Sequence, residues 1–211
     1  MKKIFLLLST LLMATTAISA QDSPLWLRRN DISPDGSKIA FTYKGNIFTV
    51  PAAGGRASQI TTHPNYDSDP LWTPDGKSIV FSSYREKSKD IYIVPAEGGI
   101  PKRLTTHTGN ETPLEILKDG NILFTANIQQ DAQYGDFPGT AQLYMVGQNG
   151  GKPKLVTSLP VSNISVSNDA EGTHIIYEDY KGYEDALRKH HTSSVTSDIW
   201  QYTPEQGKKD F

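Results

Sequence analysis

From Ser33 onward, apolar side chains recur at alternate positions in short runs separated by turn residues. Ile39, Phe41 and Tyr43 form one set; Ile79 with Phe81, Ile122 with Phe124, and Ile175 with Tyr177 form three more. A period of two, carried by β-branched and aromatic residues, predicts half-buried strands rather than helices. The same residues are expected to lie between packed sheets.

The turns repeat with the strands. Ser33-Pro34-Asp35-Gly36-Ser37-Lys38 returns 40 residues later as Thr73-Pro74-Asp75-Gly76-Lys77-Ser78, with weaker copies at Lys118-Asp119-Gly120-Asn121 and Ala170-Glu171-Gly172-Thr173. Proline presets φ, aspartate bonds back to the chain and glycine accepts positive φ, so each copy predicts a tight turn. A second strand follows each: Asn46-Ile47-Phe48-Thr49-Val50, Asp90-Ile91-Tyr92-Ile93-Val94, Gln142-Leu143-Tyr144-Met145-Val146 and Asp198-Ile199-Trp200-Gln201-Tyr202. Glycine turns come next, at Gly54-Gly55, Gly98-Gly99, Gly150-Gly151 and a lone Gly207. Short runs then close the units: Gln59-Ile60-Thr61-Thr62-His63, Arg103-Leu104-Thr105-Thr106-His107 and Leu155-Val156-Thr157. With the segment ahead of each turn, such as Asp69-Pro70-Leu71-Trp72, a unit supplies up to four strands. Four strands repeating every ~40 to 45 residues predict an all-β chain of propeller blades, about four of them, rather than a sandwich of irregular strands. By this spacing the last unit is incomplete at Phe211.

The first twenty residues lie outside the repeat. Lys2 and Lys3 precede an apolar run from Ile4 to Ala14, and small residues end at Ala20. This is signal-peptide patterning, and the run is short of the ~20 residues of a membrane span. The expected domains are therefore a signal peptide at 1–20 and a propeller at 21–211, in a soluble periplasmic protein with no stable membrane insertion after cleavage. Ile18, three positions before that cut, keeps an uncleaved anchor open as the other reading. The 21 Lys and Arg against 23 Asp and Glu give a net charge of −2; loss of Lys2 and Lys3 leaves −4. No stripe of Lys and Arg is present, so nucleic acid is not an expected partner. The chain has no cysteine, which excludes disulfides, a lipid-acceptor thiol and Cys-ligated zinc.

Candidate chemistry is sparse. There is no Gly-x-Ser-x-Gly elbow and no phosphate loop, and no serine, histidine and acid share a motif, so no catalytic residue is assigned. His63 and His107 hold the same repeat position after Thr-Thr, which favours a structural role over a catalytic one. The adjacent His190 and His191 have the wrong spacing for one metal on either a helix or a strand; no metal or other cofactor is expected. Asp67 and Asp69 are the nearest approach to paired carboxylates, and the expectation is that they bond turn backbone between blades. Trp72 is expected to pack between blades. Units three and four carry insertions near Asn127 to Thr140 and Asp179 to Ser197. In an antiparallel blade these fall on the same end as the Thr-Thr-His segments, so His63, His107, Tyr183, Arg188, His190 and His191 are candidates for one substrate or partner face.

Asp67-Ser68-Asp69-Pro70-Leu71-Trp72-Thr73-Pro74-Asp75-Gly76 resembles the PD40 repeat of TolB-like propellers. Pro24-Leu25-Trp26-Leu27-Arg28 and the stretch from Lys181 to Ser194, with its Lys189-His190-His191-Thr192-Ser193-Ser194 core, resemble the N-terminal region of bacterial tricorn-like serine peptidases of the S41 family. The resemblance covers essentially the whole chain after the signal. It implies a six-bladed propeller of which about four blades are encoded, ahead of a second propeller, a PDZ domain and the hydrolase domains. It implies a non-catalytic module that guides peptides and docks the other domains; the family's nucleophile maps onto no residue here. Peptides and those domains are the implied partners, and the blade faces left uncovered by an incomplete ring make a homo-oligomer a further expectation. The alternatives are a stand-alone TolB-like interaction module of the periplasm and a propeller fragment of a prolyl-oligopeptidase-type enzyme.

Overall fold

The computed structural model describes residues 27–128, 141–169, 172–179 and 199–203. Among them the regular elements are fourteen strands. They are β1 (Leu27–Ile32), β2 (Lys38–Tyr43), β3 (Asn46–Pro51), β4 (Ser58–Gln59), β5 (Asp67–Trp72), β6 (Ser78–Ser83), β7 (Asp90–Pro95), β8 (Lys102–Arg103), β9 (Glu111–Ile116), β10 (Ile122–Ala126), β11 (Gln142–Val146), β12 (Lys154–Asp169), β13 (Gly172–Asp179) and β14 (Ile199–Tyr202). All pairings run antiparallel between neighbours in sequence. β1 to β4 make blade 1 and β5 to β8 make blade 2. Blades 3 and 4 share one long strand. The first part of β12 closes blade 3 against β11, and its second part, from Val161, opens blade 4 against β13. The fold is an all-β, four-bladed propeller region.

The Pro-Asp-Gly turns form as their residues dictate. Gly36 N–H donates to the Ser33 carbonyl at 2.8 Å, and Gly76 and Gly120 repeat the bond to Thr73 and Leu117. The three glycines have φ of 71°, 66° and 86°, where a side chain would be strained. Asp35 accepts from the Ser33 hydroxyl at 2.6 Å and the Ser37 amide at 3.0 Å, which holds its carboxyl down at about 2. Asp75 and Asp119 make the same bond to the amides of Lys77 and Asn121.

Blades are sewn together where each inner strand begins. Asp67 N–H donates to Gly45 O at 2.9 Å, Glu111 N–H to Lys89 O at 2.7 Å, and Val161 N–H to Ala141 O at 3.2 Å. Each acceptor directly precedes the third strand of the previous blade.

Packing between blades obeys one rule. The second and third strands of a blade carry an aromatic pair in direct register: Phe41 with Phe48, Phe81 with Tyr92, and Phe124 with Tyr144, at 5.8 to 5.9 Å and near-parallel, with Tyr177 opposite Trp200 in blade 4. This side faces the preceding blade; the smaller aliphatic side faces the following one. Ala40 and Ile47 thus pack with Phe81 and Tyr92, Val80 and Ile91 with Phe124 and Tyr144, and Leu123 and Leu143 with Ile175 and Tyr177. Trp72 is buried in the first of these seams, as expected.

The expected burial holds for Ile79, Phe81, Ile122, Phe124, Ile175 and Tyr177. It fails for Ile39 and Phe41, which are only half-buried. They belong to the aromatic side of blade 1, and no described blade precedes it. That side forms an open groove of about 660 Å³, lined by Leu27, Ile39, Phe41, Tyr43, Phe48 and Val50 among others. On blade 4, Ile176 and Ile199 are exposed on the opposite, aliphatic side.

Candidate binding face

The end of the propeller at which the inner strands begin also carries the hairpins between second and third strands and the Thr-Thr-His links. Hydrogen bonds draw these together. Asn65 Nδ2 donates to Tyr84 O at 2.7 Å, Ser88 Oγ to His107 O at 3.1 Å, and Lys89 N–H to Asn110 Oδ1 at 3.2 Å. The first threonine of each link is structural: Thr61 Oγ1 accepts from Ile47 N–H at 3.0 Å, and Thr105 Oγ1 from Ile91 N–H at 2.9 Å.

His63 and His107 lie in the two links at this end. His63 Nδ1 accepts from Asn65 N–H at 3.1 Å, and His107 Nδ1 from Gly109 N–H at 2.9 Å, so each ring staples its own turn. His63 is half-buried and His107 exposed. Tyr183, Arg188, His190 and His191 lie outside the described residues, as do most of the two insertions.

What sequence reading missed is a network of charges beneath these links. The inner strands bulge at Arg29 and Asp69, both at positive φ, 44° and 56°. Arg29 Nε lies 3.3 Å from Asp69 Oδ1, Lys89 Nζ lies 2.8 Å from Asp69 Oδ2, and Lys89 also donates to Thr112 Oγ1 at 3.0 Å. Hydroxyls of Ser68 and Ser82 complete the shell of Asp69. Burial alone would raise the Asp69 carboxyl, but the bond and charge of Lys89, together with the Ser68 and Ser82 hydroxyls, hold it below the usual range. Asp67, fully buried, is met by Arg85 at 3.0 Å. Arg85 also lies over the rings of Phe81 and Tyr92, at 5.4 and 5.1 Å, so one guanidinium joins the carboxylate to the aromatic pair. The expectation that Asp67 and Asp69 cap turn backbone is therefore corrected. Their carboxylates hold cations, because each lies too deep for water to offset its charge; the turn contact at Asp67 comes from its backbone amide. Beside the Arg29 and Asp69 bulges is a cleft of about 410 Å³ lined by Arg28, Arg29, Thr42, Tyr66, Ser68 and Asp69.

At the next seam Arg103 pairs with Asp90 at 2.9 Å. Burial nevertheless pushes Asp90 up, against the pull of Arg103. Glu111 is fully buried and takes the Thr105 hydroxyl. Burial pushes its carboxyl up to about 7; Thr105 opposes this, the Asp90 charge adds to it and Arg103 opposes it. The buried His174 joins β13 to β14, its Nδ1 3.2 Å from Thr203 Oγ1 and 2.9 Å from Gln201 Nε2. Among the described residues no group of three or more His, Asp or Glu is placed to hold a metal, and no helix is long and apolar enough to cross a membrane.

The arrangement is that of a propeller scaffold with a polar, loop-bearing end: a β-propeller module. Residues 24–210 match the profile of the tricorn protease N-terminal β-propeller domain, and the chain belongs to that family. Among solved structures it is similar to the tricorn protease, with a TM-score of 0.64 at 21 % identity over 85 % of this chain and 17 % of that one. It is similar to TolB from Acinetobacter baumannii, with a TM-score of 0.61 at 20 % identity over 86 % of this chain and 42 % of that one. A puromycin hydrolase mutant gives a TM-score of 0.59 at 14 % identity over 89 % of this chain and 28 % of that one. The chain thus spans less than half of each of these three, and at such identities the likeness is one of fold. No curated protein matches in sequence.

Proposed function

We propose that this chain is a non-catalytic propeller module of a periplasmic tricorn-like peptidase, guiding peptides across its loop-bearing end and docking the other domains against its free blade faces. The observation that carries this is the family match across 24–210 together with the open aromatic side of blade 1. Blades 2, 3 and 4 bury the same side, so this surface is shaped for another blade rather than for solvent. The polar end supplies backbone groups, Tyr66 and the Arg29 cleft for extended peptide. The signal-peptide patterning of residues 1–20 supports a periplasmic setting.

The test is binding without turnover. Fluorescein-labelled unstructured peptides should bind the purified protein, measured by anisotropy, with no cleavage products by mass spectrometry, and separately purified tricorn-type peptidase domains should co-elute with it. No retention of either would sink this reading. The TolB resemblance favours a second one, a stand-alone interaction module. It predicts capture of a folded periplasmic protein and no affinity for peptidase domains.

A further inference from the structure

The seam between blades 2 and 3 carries a charge imbalance that its neighbours lack. Register defines the equivalent positions. Asn46, Asp90 and Gln142 open the third strands, and Asp67, Glu111 and Val161 open the inner strands packed beside them. Gln59 and Arg103 stand opposite Phe48 and Tyr92 in the outer strands. The first seam thus holds one carboxylate, Asp67, with its own guanidinium, Arg85. The third seam has Gln142 and Val161 and no charge at these positions. The second seam holds two carboxylates, Asp90 and Glu111, both without exposed surface, and one guanidinium, Arg103, whose Nη2 is committed to Asp90. Glu111 Oε2 meets the Thr105 hydroxyl; Glu111 Oε1 and Asp90 Oδ1 have no donor among the described residues, and Arg103 Nε, buried in the same seam, has no acceptor among them.

Other charges do not relieve this. Glu86 adds negative field at Asp90, Arg85 is spent on Asp67, and Lys89 is turned to Asp69 and Thr112. The phenol of Tyr92 lies beside Arg103, the ring of His107 is tied to Gly109, and the β10 neighbour of Glu111 is the uncharged Ala126. A buried carboxylate without a committed cation neutralises rather than bear the desolvation cost.

We propose that Glu111 is a proton-operated latch at the seam between blades 2 and 3, closing it when protonated and loosening it when ionised against Asp90. The raised carboxyl, at about 7, puts the transition near neutrality. The sign follows from linkage. Between the ordinary glutamate range and about 7 the folded chain keeps a proton that the unfolded chain has released. The seam is therefore most stable in mild acid and loses that stability as pH rises through neutrality. The hairpin carrying Ser88 and Lys89 and the link carrying His107 and Asn110 meet over this seam, so the latch adjusts the loop-bearing end.

The experiment uses the full-length protein and Glu111→Gln, which keeps the shape and removes the charge. Melting temperature and amide protection at Ile91 and Glu111 are measured from pH 5 to 8.5. The wild type should lose several degrees relative to the variant as pH rises from 5 to about 7 and little more above it, and its two amides should lose protection roughly tenfold over the same window. His107→Gln should retain the wild-type profile. Parallel profiles for wild type and Glu111→Gln, or a profile flattened by His107→Gln instead, would overturn the proposal. Should the Gln variant not fold, a carbon-13 titration of the Glu111 carboxyl in the wild type decides, and a midpoint in the ordinary glutamate range refutes the latch.

Discussion

Arg29 and Asp69 occupy the same bulge of neighbouring inner strands, 40 positions apart, and pair with each other at 3.3 Å from left-handed backbone. The repeat has placed opposite charges at one structural position in successive blades, so the two copies bind each other across the seam. Asp69 also holds Lys89 from the hairpin of its own blade, and Lys89 reaches Thr112 of blade 3. One carboxylate thereby links three blades.

The two partners should differ sharply on mutation. The Arg29 side chain is mostly exposed, so Arg29→Ala should cost no more than about 1 kcal/mol, as for surface pairs. Asp69→Ala strands the largely buried Lys89 and should cost about 3 kcal/mol. The Asp69 carboxyl lies below its ordinary range, so its contribution is present above the unfolded value and is lost as pH falls through the folded one. Urea denaturation of both variants at pH 7 and at pH 3 checks this. Equal costs at pH 7 would refute the three-blade link.

The aromatic pairs give a second prediction. Phe81 and Phe124 are fully buried in seams, and truncating either to alanine should cost about 3 to 5 kcal/mol. Phe41 is their equivalent on the open side of blade 1, and Phe41→Ala should cost about 1 kcal/mol, the lost contact being chiefly with Phe48. Chemical denaturation of the three variants measures the difference. A Phe41 variant as damaged as the Phe81 variant would show that something covers the groove.

Turn glycines provide a third. Gly36 has open space around it but a φ of 71°, so Gly36→Ala should cost about 1 kcal/mol from backbone strain alone. Gly150→Ala, at a φ of 83°, should cost more, since a Cβ there would come within 3.1 Å of the Leu104 carbonyl oxygen, a backbone atom that cannot swing aside. Matched melting curves test the order. A neutral Gly36→Ala would mean the turn relaxes to another form.

Much of the fold was legible because a propeller writes its architecture as a period. The Pro-Asp-Gly turns, alternating apolar runs and Gly-Gly turns each recur, and they fixed fold class, strand order and most seam residues. Ile39 and Phe41 were misplaced because alternation identifies an inward-facing side, not whether a neighbour is there to cover it. The charge network was illegible for a related reason. Asp69, Lys89 and Arg29 are brought together by bulges, and a bulge displaces register in a way no alternating pattern announces. The Asp90 and Glu111 pair could have been found by aligning units at their third strands, where Asn46 and Asp67 become Asp90 and Glu111. The turn role assigned to Asp67 and Asp69 was wrong because aspartate near a turn is read as a cap unless its depth is known.

The open side of blade 1 leads to the last prediction, self-association. Within the chain, three successive seams show what this surface accepts: the small aliphatic side of another blade, as Ala40 and Ile47 provide to Phe81 and Tyr92. Blade 4 offers such a side, with Ile176 exposed and Ile199 at 79 %. Contiguous apolar surface of this kind favours burial against a partner, and β14, the edge strand of its sheet among the described residues, would add backbone pairing. The purified 211-residue chain should therefore show a mass by light scattering that rises with concentration. Phe41→Lys with Phe48→Lys should abolish that rise while leaving the circular dichroism of the strands unchanged, since neither residue lies in a seam. Dimer formed through blade 1 would also make fluorescence of a probe at Val50 concentration-dependent. A monodisperse monomer at all concentrations, with the lysine variants behaving identically, would mean that the groove is closed within the chain itself.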